Sequence, residues 1–121
     1  LGVHGGLHPR ELAAVGLVAG SAFRSDRRVS TTPSSICDIA PTILHLLGLP
    51  TPASMSGRVL YETLGALSLL RREFKPEVLQ TGLKSYCQEL HRVQVDQVTY
   101  LSGGYVVAGD VPATIREEAA E

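Results

Sequence analysis

Apolar and polar positions divide the chain into stretches of different period. Leu12-Ala13-Ala14-Val15-Gly16-Leu17-Val18-Ala19-Gly20 is a short apolar run closed by glycine. Its pattern leaves two readings open. Glu11, Leu12 and the alanines allow a helix. Val15, Leu17, Val18 and the bounding glycines allow a strand covered on both faces, as in a parallel sheet. Residues 20–35 are polar and turn-rich and read as a loop. The cluster Arg24, Arg27 and Arg28 falls there; a solvated loop outweighs a phosphate or nucleic-acid contact.

The period then becomes helical. Ile36, Ile39, Ala40, Ile43, Leu44 and Leu47 recur at helical spacing. Asp38 reads as the N-cap, Pro41 suits the first turn, and Gly48 and Pro50 supply the stop. The spacing predicts a helix over 38–48, with Asp38, Thr42 and His45 on its polar side. His45 reads as a half-exposed helix residue, not a ligand; the C-terminal end of the helix favours its protonated form. Val59, Leu60, Leu64, Leu67 and Leu70 predict a second helix over 58–72, weakened by Gly65. Beyond Pro76 the chain becomes β-rich. Val93, Val95, Val98 and Tyr100, then Tyr105, Val106 and Val107, surround Ser102-Gly103-Gly104. That pattern predicts an antiparallel hairpin over 92–108 around the glycine turn, with Asp96-Gln97 as a further turn or bulge. Residues 112–121 are acidic and predicted to fray.

Composition narrows the function classes. At 121 residues the chain is one domain or a piece of one. A net charge of −1 predicts neither nucleic acid nor an anionic membrane as a partner. Six aromatic residues and no tryptophan supply few platforms for base stacking. The apolar run is about half the length a membrane span needs, so no span is expected. Cys37 and Cys87 form no Cys-x-x-Cys pair, which excludes zinc-ribbon and thioredoxin readings. Cys37 reads as a buried free thiol, and a Cys37–Cys87 disulfide is compatible with an oxidising compartment. There is no nucleophile elbow, phosphate loop, His-Glu-x-x-His or dinucleotide fingerprint, and no spacing that singles out a triad.

One stretch carries candidate chemistry. Gly2-Val3-His4-Gly5-Gly6-Leu7-His8-Pro9-Arg10-Glu11 places two histidines four apart. On a helix they would share a face, but Gly5, Gly6 and Pro9 favour a loop. A histidine among glycines suits a metal ligand, since neutral imidazole binds zinc and glycine leaves room for it. His8 and Glu11 read as plain loop residues or as supports that fix the imidazole tautomer.

The order of Gly2-Val3-His4-Gly5, the apolar run, Asp38-Ile39-Ala40-Pro41-Thr42-Ile43-Leu44, the Pro50–Pro52 turn and Gly57-Arg58-Val59-Leu60 resembles the C-terminal end of the alkaline phosphatase superfamily. It is most similar to the type I phosphodiesterase/nucleotide pyrophosphatase branch, and the resemblance covers about residues 1–64. It implies an α/β fold: the C-terminal part of an alkaline-phosphatase-like sheet flanked by helices, with 13–19 a buried strand, plus a β-hairpin tail. Residues 1–72 then read as the core piece, and 73–121, which the resemblance does not reach, as a β-rich extension with an acidic tail. The resemblance implies His4 as the last histidine of a two-zinc site, with the nucleophile and remaining ligands in earlier sequence. This chain then holds no catalytic residue of its own and is an inactive fragment of a zinc-dependent enzyme. The substrate class would be a phosphodiester or a nucleotide anhydride. A sulfatase or phosphonate hydrolase of the same superfamily is a variant. A complete, non-catalytic binding or assembly module, using its hairpin as an edge, is the alternative from another class.

Overall fold

A computed structural model describes residues 6–23, 29–65, 72–83 and 86–108. The described elements are a four-residue helix α1 (Pro9–Leu12), a 3-10 turn (Ile36–Asp38) leading into helix α2 (Ile39–Leu46), and a second 3-10 turn (Tyr61–Thr63). Three long strands follow: β1 (Phe74–Leu83), β2 (Tyr86–Val95) and β3 (Val98–Ala108). They form one antiparallel sheet in the order β1-β2-β3. The expected mixture of helix and sheet is present. The sheet, however, is a meander of sequential neighbours, not a parallel sheet with crossover helices.

The chain divides into two compact units. One comprises Leu1–Ala14, Pro76–Val93 and Leu101–Glu121; the other comprises Val15–Lys75 and Gln94–Tyr100. In the first unit, Cys87 and Val93 of β2 are buried. In the second, the core holds Leu64, Val95 and Tyr100, together with the polar side chains Asp38, Thr42, Arg58 and Glu62. Cys37 is exposed and Cys87 buried, and both are free thiols. Cys37 is therefore not the buried thiol that its position before a helix suggests.

Four expectations change. Residues 13–19 are not a strand, and Val15 and Leu17 are 97% and 89% exposed. A strand needs a neighbour for its amides, and among the described residues nothing pairs with this run. Helix α2 forms where predicted, with Gly48 at φ 69° closing it, but its faces are reversed. Asp38, Pro41 and Thr42 are buried, while Ile36, Ile39, Ile43 and Leu47 are at least half exposed. Asp38 gives α2 no side-chain cap. Its carboxylate is engaged elsewhere, and Ser35 forms a capping box on the 3-10 turn instead.

The predicted helix over 58–72 also does not form across its described part. Leu60 has φ −81° and ψ 64°, outside the helical region. Leu64 pairs with Phe23 in an isolated antiparallel bridge, and Gly65 N donates to Ala22 O. The Gly65 amide, which a helix would direct to Tyr61 O, is thus spent on a long-range partner. Residues 66–71, which complete that prediction, lie outside the described residues, as does the acidic tail. Finally, the hairpin over 92–108 exists, but its turn is Asp96-Gln97, with Asp96 at φ 53°. Ser102-Gly103-Gly104 lies inside β3.

Gly57 shows how tightly the second unit is joined. A β-carbon there would collide with the Cys37 carbonyl oxygen and lie 2.9 Å from Asp38 N. Backbone meets backbone, so neither side gives easily. Gly57→Ala should destabilise the protein by about 2 kcal/mol or more, read as a lowered midpoint in chemical denaturation.

Candidate functional site

His4, the predicted metal ligand, lies outside the described residues. The segment that follows it is described. His8 Nδ1 accepts from Arg10 N at 3.2 Å and caps α1. His8 O accepts from Glu11 N at 2.8 Å. The Glu11 carboxylate folds back onto Gly6 so closely that a β-carbon at Gly6 would collide with Oε2. Imidazole and carboxylate are both zinc donors, and His8 keeps Nε2 for another partner, so the donor chemistry beside His4 suits zinc. No group of three His, Cys, Asp or Glu side chains able to hold a metal exists among the described residues. Among the described residues this segment shows no metal site.

On the same unit, the His8 ring meets the edge of Tyr105 at 6.4 Å, and His91 meets Tyr105 at 4.9 Å. His91 Nε2 lies 3.0 Å from Glu89 Oε2, and the Gln80 amide donates to Glu89 Oε1 at 2.8 Å. The His91 contact first, then Gln80, holds the Glu89 carboxyl below the usual carboxylate range.

The densest polar arrangement is buried in the second unit. Asp38 is completely buried, and its carboxylate accepts from Ser35 N at 2.7 Å and Arg58 N at 2.8 Å. The Tyr100 hydroxyl lies 3.0 Å from both carboxylate oxygens and donates to them. Thr42 Oγ1 donates to Asp38 O at 2.7 Å and accepts from Leu60 N at 3.0 Å. Two segments some twenty residues apart are thus fastened by side chains of one helix turn. Among the groups involved, sequence reasoning assigned Asp38 to a cap and Thr42 to a solvent face. It placed Arg58 in the Gly57-Arg58-Val59-Leu60 segment and Tyr100 in the hairpin without a site role for either, and gave Glu62 none. The Arg58/Glu62 spacing of four was a readable signal; Tyr100 carried none.

Arg58 makes a bidentate pair with Glu62, at 2.9 Å and 2.6 Å, with both side chains buried. It also donates to Pro33 O at 3.0 Å. Burial alone would lower the Arg58 pKa, but the Glu62 carboxylate outweighs it and holds the guanidinium charged. Arg58 Nε has no hydrogen-bond partner. Removing one member leaves the other as a lone buried charge, so Glu62→Ala should cost about 3–5 kcal/mol, while a replacement of both by apolar residues should cost far less. Paired denaturation curves of the single and double variants check this.

Burial first, then the bond to Asp38, raises the Tyr100 pKa above the ordinary phenol value, against the pull of Arg58. The folded protein therefore keeps this proton more tightly than the unfolded chain. The resulting stability is complete below the unfolded value of about 10 and falls as pH rises beyond it. Alkaline unfolding should coincide with the last phenolate absorbance to appear, and Tyr100→Phe should remove that coincidence.

No helix among the described residues is long and apolar enough to cross a membrane. No protein-family model matches this chain, and no solved structure matches it.

Proposed function

We propose that this chain is the C-terminal portion of a metal-dependent phosphodiesterase or nucleotide pyrophosphatase with an alkaline-phosphatase-like core, and that His4 is a zinc ligand there. One observation carries the reading. Asp38-Ile39-Ala40-Pro41-Thr42 and Gly57-Arg58-Val59-Leu60, quoted above for their resemblance, are fastened together by Asp38 and Thr42. Two of the quoted motifs thus belong to one packed unit, which supports the reading. The exposed run at Val15, Leu17 and Val18 and the exposed face of α2 are surfaces that a larger sheet would cover.

In this reading the chain supplies a ligand and its support, not the nucleophile. Zinc, when bound, would activate the attacking group and neutralise charge developing on the phosphoryl oxygens. His4 would hold the ion through neutral imidazole, with Glu11 and His8 as supports that fix its tautomer or as plain loop residues. A sulfatase or phosphonate hydrolase would use the same parts on a different substrate. The test is hydrolysis of chromogenic phosphodiester, sulfate ester and phosphonate ester substrates by the product of the full reading frame. The phosphodiester should be cleaved fastest, and a chelator should abolish the activity. Turnover indifferent to chelator would overturn the metal-dependent reading, and no turnover of any of the three would support the alternative of a binding or assembly module, to which the exposed apolar surface is equally suited.

A further inference from the structure

Two histidines of the first unit share one tyrosine, and they differ in what an added proton does. The His91 ring meets Tyr105 at 4.9 Å and the His8 ring meets it at 6.4 Å. His91 Nε2 lies 3.0 Å from Glu89 Oε2. That carboxyl group, which Gln80 also holds, keeps its negative charge to lower pH than an ordinary one. A proton on His91 therefore completes an ion pair. His8 is arranged the opposite way. Its Nδ1 accepts from Arg10 N and caps α1, which requires neutral imidazole with its proton on Nε2. A proton on Nδ1 sets donor against donor and ends the cap. The other charged or titratable groups around His8, among the described residues, come from three elements. They are Tyr105 on β3, Arg10 and Glu11 on α1, and, beyond Tyr105, His91 and Glu89 on β2. The Glu11 carboxylate is folded back over Gly6.

The segment that carries His8 is seated on β3. Gly104 N donates to Leu7 O at 2.8 Å. A β-carbon at Gly104 would lie 2.7 Å from Leu7 Cβ, and one at Gly103 would lie 3.1 Å from Pro9 Cγ. Glycine thus lets the segment lie directly against the strand. Leu7 is 45% exposed, so apolar burial adds little to this seat.

We propose that residues 7–12 form an acid-released strap on β3, with His8 as its proton-sensitive fastener. The seated strap needs neutral His8 and so binds fewer protons than the released one. Seating holds where imidazole is neutral and is lost as pH falls through the range in which imidazole titrates. Release uncovers Gly103 and Gly104 on β3, while the His91–Glu89 pair on β2 stays closed.

The test is hydrogen exchange at the Gly104 amide, the donor to Leu7 O, read by NMR as a protection factor between about pH 8 and pH 5 in the product of the full reading frame. Protection should fall about fivefold toward acid, the loss expected from one helix cap. In His8→Asn, whose side-chain oxygen caps without titrating, protection should stay level with pH. In His91→Gln the fall should persist. Level protection in the unaltered protein, or an equal fall in His8→Asn, would overturn the proposal. An equal fall at the Val93 amide in β2 would overturn it as well, because the whole unit would then be loosening.

Discussion

Asp38→Ala should remove a large part of the protein's cooperative stability. The carboxylate is completely buried and accepts from Ser35 N, Arg58 N and the Tyr100 hydroxyl. Deleting it strands two buried donors, Arg58 N and the Tyr100 hydroxyl, and one part-buried donor, Ser35 N. Each such group costs about 1–3 kcal/mol unpaired, so the loss should reach about 3–5 kcal/mol, against a total of about 5–15 kcal/mol for a typical domain. Asp38→Asn should be nearly as harmful. Its amide nitrogen would face one of the three donors and leave it without an acceptor. Tyr100→Phe should be milder, about 1–2 kcal/mol, since the carboxylate keeps both backbone amides. Tyrosine fluorescence gives the readout. The chain has no tryptophan, and release of the Tyr100 hydroxyl from a carboxylate should raise its emission as the protein unfolds.

The same carboxylate shows where local pattern ends and long-range contact begins. Helix α2 was readable because Ile36, Ile39, Ile43 and Leu47 keep helical spacing and Gly48 stops it. Which face turns inward was not readable. That is decided by Arg58 N and Leu60 N, eighteen to twenty residues away, which Asp38 and Thr42 serve. Binary pattern assumes that the apolar face is covered from within the chain; here the described residues leave it open.

The tail teaches a related lesson. Gly103-Gly104 looked like a hairpin turn because glycine permits positive φ. The turn went instead to Asp96, a residue type that tolerates the left-handed region, and the glycines serve a close packing contact. Strand β1 falls in the extension read as β-rich, but its pattern singled out no strand there, and Pro76 read only as punctuation. β1 lies at the edge of the sheet, the one place where a proline lacking an amide hydrogen is tolerated. The buried Arg58–Glu62 pair had a signal in its spacing, but nothing in the spacing of four said that the pair would be inside.

His4→Ala should have the largest effect on function. A zinc site of three or four protein ligands loses affinity steeply when one is removed. The loss should exceed the roughly 10–100-fold that supporting residues cost. His8→Ala should matter much less. Its Nδ1 is already committed to Arg10 N, and its main described task is to cap a four-residue helix. Glu11→Gln separates the two roles left open for that residue. As a support that fixes the imidazole it should lower zinc occupancy, and as a plain loop residue it should leave occupancy unchanged.

The most direct measurement is zinc content per chain, by elemental analysis of the product of the full reading frame and of its His4→Ala and His8→Ala variants, with phosphodiester turnover on the same samples. The account predicts that His4→Ala loses zinc and turnover together, while His8→Ala stays close to the unaltered protein. Full zinc occupancy and full turnover in His4→Ala would contradict it.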